Sequence, residues 1–301
     1  MRLTVFSYSV LRFYTALRRG SQSVVTNTRR VRLLAALGLC LLPTPVLAAT
    51  AGALAAALET GTPEEQGRAI FAEKDALDSG YQDLEVTLEM ILRDRSGRES
   101  RRALAISQIE MGVSGERLKV VFDTPVQIRG TALLSYSYED RPDDQWLYLP
   151  AMSRVKRIAS RNKSGPFLSS EFAFEDMMLQ ELDKFSYRFE GLEPCGEARC
   201  YQVERRPVDP YSGYTRQVVW LESDSLRVER IDYFDRGNRP LKVLKVSGYR
   251  LYGERFWKAE RMQMENLQTG KSTELLWRDY RFGVGLLADR DFSTNSLARA
   301  R

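Results

Sequence analysis

Apolar and polar residues alternate with a period of two along most of the chain beyond Gly80. In the segment 84–92 every even position is apolar, a pattern typical of β-strands that bury one face. Similar segments lie at 102–111, 117–122, 128–138, 145–149, 186–191, 200–205, 215–221, 226–234, 241–251, 256–265 and 272–282. About a dozen strands in hairpin-like succession predict a mostly β fold, with one antiparallel sheet that bends into an open or closed barrel and so limits exposed edges.

One helix is predicted before the first strand. Thr62 fits the N-cap, Pro63 the first helical position, and Glu65 completes a capping box. Apolar residues recur at helical spacing through 70–77. The preceding stretch, 50–61, is rich in Ala, Gly and Thr, and we interpret it as a flexible lead-in.

A sheet with one apolar face needs a cover, and one helix is too small for so wide a sheet. The irregular segment 163–184 is the second candidate because it carries three phenylalanines and a methionine pair. These side chains either fill the protein's own core or line an apolar cavity as a lid. The predicted lipid-contact residues are Leu88, Met90, Val120, Phe122, Leu134 and Tyr148 on the sheet and Phe167, Phe172, Phe174, Met177 and Met178 on the cover.

Residues 1–49 have the composition of an export signal. They hold seven arginines and no acid, with an apolar run at 33–42 and small residues around Ala48. The run is too short for a membrane span, so we expect a signal peptide cleaved near Ala48 and a periplasmic protein. Cys40 would be discarded with this leader. Arg29-Arg30 leaves twin-arginine export open beside the general route.

Composition narrows the possible chemistry. The chain carries 45 Lys+Arg and 40 Asp+Glu, and removing the seven leader arginines leaves 38 against 40. This balance argues against nucleic-acid binding, which needs a clustered basic surface. The chain has no histidine, which excludes Ser-His-Asp and Cys-His catalysis and argues against zinc. We expect no cofactor and no enzyme activity, although a carboxylate-based hydrolase stays a third hypothesis.

Two further features have local interpretations. Cys195 and Cys200 lie close together in an exported chain, where a structural disulfide is expected. The basic run that includes Arg154, Lys156 and Arg157 is either a solvated strand face paired with acids or a contact for anionic lipid headgroups or an acidic partner.

The centre of the chain resembles a known family. The order Trp146-x-Tyr148-Leu149-Pro150-Ala151-x-x-Arg154-Val155-x-Arg157-Ile158 precedes a Ser/Gly loop that ends in Phe172-x-Phe174-Glu175-Asp176-Met177. With Tyr233-Phe234-Asp235-x-Gly237 and Asp291-Phe292-Ser293 further on, it resembles the outer-membrane lipoprotein-sorting family, a LolA-like group of periplasmic proteins. The resemblance covers residue 66 to the end of the sequence.

The resemblance implies a strongly curved antiparallel sheet, an open half-barrel, with helices over its concave apolar face. We therefore expect one LolA-like domain at 62–301, with an N-terminal helix and a central helix or loop as lid. The implied function is a periplasmic carrier that shields lipid or lipoprotein acyl chains during transport to the outer membrane. The alternative is a non-transporting accessory module that docks on an RND/MMPL-type inner-membrane exporter.

Overall fold

Thirteen strands form one antiparallel sheet in the computed structural model, which describes residues 45–112, 115–139, 141–178 and 181–299. The strands are β1 (Asp83–Arg93), β2 (Glu99–Glu110), β3 (Glu116–Thr124), β4 (Ala132–Ser137), β5 (Asp144–Leu149), β6 (Arg154–Arg157), β7 (Phe185–Cys195), β8 (Ala198–Pro207), β9 (Tyr214–Glu222), β10 (Val228–Asp235), β11 (Pro240–Tyr252), β12 (Phe256–Asn266) and β13 (Ser272–Phe282). The predicted mostly β class is confirmed. Most of the predicted leader, including Cys40, lies outside the described residues.

The strand order is β6-β5-β4-β3-β2-β1-β13-β12-β11-β10-β9-β8-β7, so the sheet consists of two meanders. They join where β1 pairs with β13, with Leu88 opposite Trp277. The first and last strands in this order, β6 and β7, are the two edges of an open sheet. The segment between them in the chain, residues 158–184, therefore has to run from one edge to the other, and we call it the lid.

The sheet is strongly curved, as predicted. Thirteen flat strands at about 4.8 Å spacing would place the two edges roughly 58 Å apart. Instead, Lys184 at the start of β7 forms an ion pair with Asp143 at the start of β5, with Nζ 3.1 Å from Oδ1. Curvature therefore brings the two edge regions together without closing the barrel.

Two hairpins begin with an aspartate that organises its own turn. Asp94 Oδ1 accepts hydrogen bonds from the backbone N–H groups of Ser96 (2.8 Å) and Arg98 (3.1 Å). Asp235 Oδ1 accepts equivalent bonds from Gly237 (2.9 Å) and Arg239 (3.0 Å). A carboxylate that bonds the backbone two and four residues later stabilises a tight turn, which keeps neighbouring strands in register.

Two helices precede the sheet. Helix α2 (Pro63–Asp78) begins as predicted: the Thr62 N–H donates to Glu65 Oε2 at 2.7 Å, and the Glu65 N–H donates to Thr62 Oγ1 at 3.3 Å. Residues 50–60, predicted as a flexible lead-in, are helical instead and belong to α1 (Pro45–Thr60). The stretch is rich in alanine, the strongest helix former, which outweighs its glycine and threonines.

Helix α2 lies very close to the edge strand β7. Its buried face includes Ile70 and Phe71, and the Phe71 ring lies 4.7 Å from that of Tyr187. At Gly67 a Cβ atom would lie 2.9 Å from the backbone nitrogens of Arg188 and Phe189. The absence of a side chain at Gly67 therefore allows the helix backbone to approach the strand backbone.

Buried apolar side chains form two clusters, one on each face of the sheet. The larger lies on the face covered by α2 and the lid, which we call the inner face, and includes Leu88, Met90, Val120 and Phe122 as predicted. The smaller, on the outer face, consists of Ala132, Leu134, Phe292 and Leu297. The C-terminal segment, with its short helices α3 (Ala288–Asp291) and α4 (Thr294–Leu297), covers the outer face at β4.

The predicted inner-face position of Leu134 and Tyr148 is wrong. Leu134 belongs to the outer cluster and Tyr148 packs against it. The neighbouring Leu133 and Leu147 face inward. Successive strand residues point to opposite faces, so these two assignments were out of phase by one residue.

The predicted disulfide is confirmed and links Cys195 to Cys200 across the β7–β8 hairpin. The two Cα atoms are 5.8 Å apart, a normal separation for a disulfide. Among the described residues no helix is both long and apolar enough to span a membrane.

Candidate functional site

The lid packs its aromatic side chains against the inner face. Phe167, Phe172 and Met177 are buried, and Phe174 is half-buried against the same cluster. The Phe167 ring lies 5.8 Å from Phe122 on β3 and 5.5 Å from Phe174. Four of the five lid residues predicted from the sequence are thus brought together and fill the protein's own core, whereas Met178 lies outside this cluster.

A buried ion pair fastens the lid to β11. Lys242 Nζ lies 2.6 Å from Asp176 Oδ2, and the side chains are only 4% and 7% exposed. Lys242 also donates to the Glu171 carbonyl at 2.9 Å. Asp176 accepts from the Tyr214 hydroxyl (2.9 Å) and from the Ala173 N–H (2.7 Å). Every contact in this group joins the lid to itself or to the sheet, so we call it the lid clamp.

Further hydrogen bonds attach the lid on both sides of the clamp. Glu175 accepts from the Ser212 hydroxyl (2.7 Å) and the Gly213 N–H (2.8 Å) beside β9. On β5, Gln145 Nε2 donates to the Phe174 carbonyl at 3.0 Å. The lid is therefore anchored from β5 to β9.

An apolar pocket lies between α2 and strands β10–β13, and we call it the α2 pocket. Its volume is ≈ 420 Å³, within the range of about 300–1,000 Å³ typical of ligand sites. Its lining residues are Leu77, Leu226, Val228, Ile231, Leu244, Val246, Tyr249, Trp257, Ala259, Met262 and Tyr280, with Lys74, Asp78, Ser225, Arg227, Arg255 and Lys258. The apolar side chains come from α2, from the turn before β10 and from all four strands β10–β13.

Two half-exposed apolar side chains open the α2 pocket to solvent. Leu77 on α2 is 37% exposed and Trp257 on β12 is 38% exposed. The Arg227 guanidinium lies 5.3 Å from the Tyr249 ring centroid and 4.7 Å from that of Trp257. The Tyr249 hydroxyl donates to the Val228 carbonyl at 2.7 Å. The wall of the pocket is therefore ordered before any ligand binds.

Two other pockets flank the lid. One, of ≈ 340 Å³, lies between the lid and β7–β9, and the other is an open groove of ≈ 1010 Å³ beside the end of α2. Met178 lines both. The other ten predicted lipid-contact residues line none of these three pockets.

The open groove is lined with carboxylates whose pKa values burial changes. Burial, with Glu116 and Asp75 nearby, raises the pKa of Glu181 from 4.5 to about 7. Burial likewise raises the pKa of Asp75 from 3.8 to about 6. An acid whose pKa is raised in the folded state stabilises the fold while it is protonated. The stabilising contribution of Glu181 is therefore lost, and the free energy of unfolding decreases, as the pH rises from 4.5 to about 7.

Other carboxylates of the groove have structural partners. Glu116 accepts from the Tyr81 hydroxyl at 2.8 Å and from Gln108 Nε2 at 2.6 Å. Glu110 accepts from the N–H groups of Gly80 (2.6 Å) and Gln82 (2.8 Å). These bonds join the turn after α2 to β2 and β3. Within the part of the chain that the structure describes, no cluster of three or more potential metal ligands occurs.

The basic residues predicted as a partner or headgroup contact lie on the edge strand β6. Arg154, Lys156 and Arg157 are all exposed. Arg157 forms an ion pair with Asp144, whereas Arg154 and Lys156 form none with any described carboxylate. Lys163, which follows these basic residues in the sequence, is instead buried and donates to the Asp143 carbonyl at 2.7 Å.

Sequence analysis missed the α2 pocket and the lid clamp. Leu77 belongs to the helical stripe already visible at 70–77, and the strands that line the pocket were predicted as alternating segments. The missing information was which strands lie under the C-terminal half of α2. The clamp joins residues 66 positions apart, and the sequence marks Asp176 only as part of the family motif, without indicating Lys242 as its partner.

The fold and the covered inner face define a class of protein, the LolA-like open half-barrels. A LolA superfamily protein from Nitrosomonas europaea has a similar fold, with a TM-score of 0.62 at 17% identity over 76% of this chain and 98% of that chain. A family model described as "uncharacterized protein"-like matches residues 115–299. Among curated proteins, none matches the sequence significantly.

Two more similar structures define the family. A crystal structure described as an outer membrane lipoprotein-sorting protein domain from Vibrio parahaemolyticus is 42% identical, with a TM-score of 0.76 over 78% of this chain and 100% of that chain. A DUF1329 family protein from Desulfovibrio piger is 31% identical, with a TM-score of 0.74 over 78% and 99%. The chain belongs to this outer-membrane lipoprotein-sorting family, as the sequence resemblance predicted.

Proposed function

We propose that the protein is a periplasmic carrier that shields an acyl chain of a lipid or lipoprotein on its way to the outer membrane. The observation that carries the proposal is the α2 pocket, an apolar cavity of ≈ 420 Å³ that opens beside Leu77 and Trp257. The family relationship supports it, because the Vibrio parahaemolyticus relative is described as a lipoprotein-sorting protein. We also propose that residues 1–49 direct export and that 62–301 form one domain.

The free energy of burial is adequate for such a role. Each methylene removed from water contributes about 0.8 kcal/mol, so ten methylenes in the pocket contribute roughly 8 kcal/mol before the costs of ordering are subtracted. Binding of this strength is reversible, which a carrier requires. The half-exposed Leu77 and Trp257 give an acyl chain a point of insertion that does not require the clamped lid to open.

The predicted lipid contacts on the lid enter the proposal only for cargo that displaces the lid. Phe167, Phe172 and Met177 cover Phe122 and its neighbours, so cargo would reach the sheet beneath them only by displacing the lid. We propose that a longer or second acyl chain does this. Met178 would contact the cargo first because it already lines two pockets.

The alternatives receive less support. An accessory module that docks on an RND/MMPL-type exporter stays a prediction, with the exposed Arg154 and Lys156 on β6 as its contact surface. A carboxylate hydrolase would use the acidic groove, but Glu110 and Glu116 accept structural hydrogen bonds there. We therefore include no enzyme activity in the proposal.

Replacing Leu77 by glutamate should weaken binding of a fluorescent fatty-acyl probe at least about tenfold, because a carboxylate at the pocket mouth resists burial against an acyl chain. The matched control is Leu267→Glu. Leu267 is 52% exposed in the β12–β13 turn and does not line the pocket. Fluorescence titration at equal protein concentrations gives both dissociation constants.

Different outcomes of this titration test the binding site and the carrier function separately. Equal binding by wild type and both variants would contradict the α2 pocket as the binding site. A wild-type protein that binds no acyl probe would contradict the carrier proposal and favour the docking module.

A further inference from the structure

Among the charged side chains that line the α2 pocket, cations outnumber acids. They comprise the cations Lys74, Arg227, Arg255 and Lys258 and one acid, Asp78. Lys74 Nζ is bound to Asp78 Oδ2 at 2.8 Å. Arg227 Nε is bound to Glu222 Oε2 at 2.9 Å. These two cations are therefore compensated inside the protein.

Arg255 and Lys258 form no direct ion pair with any carboxylate among the described residues. The carboxylates that act on Lys258 do so only from beyond ion-pair distance and are those of Asp78, Glu116 and Glu110. Arg255 Nη2 donates to the Ser79 carbonyl at 2.9 Å, which holds the guanidinium against the end of α2 while its remaining N–H donors stay available. No hydrogen bond to a described residue engages the Lys258 ammonium, which lies 5.4 Å from the centroid of the Tyr81 ring.

The two cations flank one aromatic ring. The Arg255 guanidinium carbon lies 5.0 Å and Lys258 Nζ 5.9 Å from the ring centroid of Phe256. Burial lowers the pKa of Lys258, so its charged form carries a desolvation cost that the carboxylates of Asp78, Glu116 and Glu110 offset only in part. An anion bound there would remove this cost, whereas an uncharged ligand would leave it in place.

We propose that the α2 pocket selects an anionic amphiphile, with the acyl chain in the apolar pocket and a phosphate or carboxylate headgroup bound by Arg255 and Lys258. The inference rests on the proposed carrier function and specifies its cargo class. Arginine suits this role because its planar fork binds both oxygens of a phosphate or carboxylate. Lys258, which borders both the α2 pocket and the open groove, adds a point charge.

The test compares three probes by isothermal titration calorimetry: decyl phosphate, decanol and inorganic phosphate. Decyl phosphate should bind about tenfold more tightly than decanol, since a hydrogen-bonded charge pair adds to the same chain burial. Inorganic phosphate alone should not bind detectably, because it lacks the apolar chain. In the double variant Arg255→Met/Lys258→Met, the preference for decyl phosphate over decanol should disappear.

Lys245→Met is the matched control, because Lys245 is exposed on β11 outside the pocket and should retain the full preference. Equal binding of decyl phosphate and decanol by the wild type would overturn the headgroup inference and leave the carrier function standing. Binding of inorganic phosphate as tight as that of decyl phosphate would also overturn it, in favour of a simple anion site. Failure of all three probes to bind would count against the carrier function itself.

Discussion

Replacing Lys242 by methionine is expected to lower the free energy of unfolding by about 3–5 kcal/mol, because it leaves a buried carboxylate without its cation. The side chains of Lys242 and Asp176 are 4% and 7% exposed, so water cannot replace the lost partner. Equilibrium urea unfolding followed by circular dichroism gives the difference. The same change should loosen the lid, because the clamp joins it to β11 and β9.

The control for Lys242 is an ion pair of similar length on the surface. Arg98 Nε lies 2.7 Å from Asp94 Oδ2, but the Arg98 side chain is 85% exposed. Arg98→Met should therefore change the free energy of unfolding by no more than about 0.5 kcal/mol. Replacing Asp176 by leucine in the Lys242→Met background should recover part of the loss, since no unpaired charge remains. A loss for Lys242→Met no larger than that for Arg98→Met would contradict the clamp.

The second large effect is expected at Gly67. Gly67→Ala should lower the free energy of unfolding by about 1–3 kcal/mol, because the new Cβ would lie 2.9 Å from two backbone nitrogens of β7 and the helix would have to move away. Gly52→Ala makes the same change in α1, where a Cβ would meet nothing within 4 Å. That variant should gain about 0.5–1 kcal/mol, since alanine favours the helix over glycine.

The opposite signs at the two glycines are the informative result, and thermal or urea unfolding of the two variants measures them side by side. If Gly67→Ala stabilised the protein as Gly52→Ala does, the close approach of α2 to β7 would be contradicted. Displacement of α2 would also enlarge the α2 pocket, because Leu77 forms part of its wall.

Local chemistry made much of the fold predictable. The capping box at Thr62 and Glu65 is a contact between residues three apart, and the structure forms it as expected. The Cys195–Cys200 disulfide likewise joins near neighbours. Strand positions followed from alternation, which reports burial on one face without knowledge of the partner strand. The family resemblance supplied the curvature of the sheet.

The alternation of apolar and polar residues gave a wrong prediction of the inward-facing side chains where a strand is buried on both faces. Almost every residue of β4, Ala132–Ser137, is buried, because the lid side covers one face and Phe292 with Leu297 covers the other. Such a strand reads as a continuous apolar run, so its phase cannot be taken from the sequence. The error at Leu134 follows directly from this double cover.

The candidate site could not be predicted from the sequence because elements far apart in the chain form it. The α2 pocket exists because α2 crosses β10–β13, elements more than 140 residues further along the chain. Its cations are also ordinary in the sequence. Lys258 belongs to an alternating segment and Arg255 immediately precedes it, and both become notable only because Lys74 and Arg227 nearby already have acidic partners. Whether a cation has an acidic partner depends on contacts in the folded protein, and composition does not reveal it.

The most direct test of the carrier function is mass spectrometry of the organic extract from protein purified without detergent from the compartment to which it is exported. Wild-type protein should yield an acyl-containing lipid in close to one-to-one ratio with the chain, and Leu77→Glu protein should yield far less. If the wild type carries no lipid and its α2 pocket also binds no acyl probe, the carrier function is contradicted.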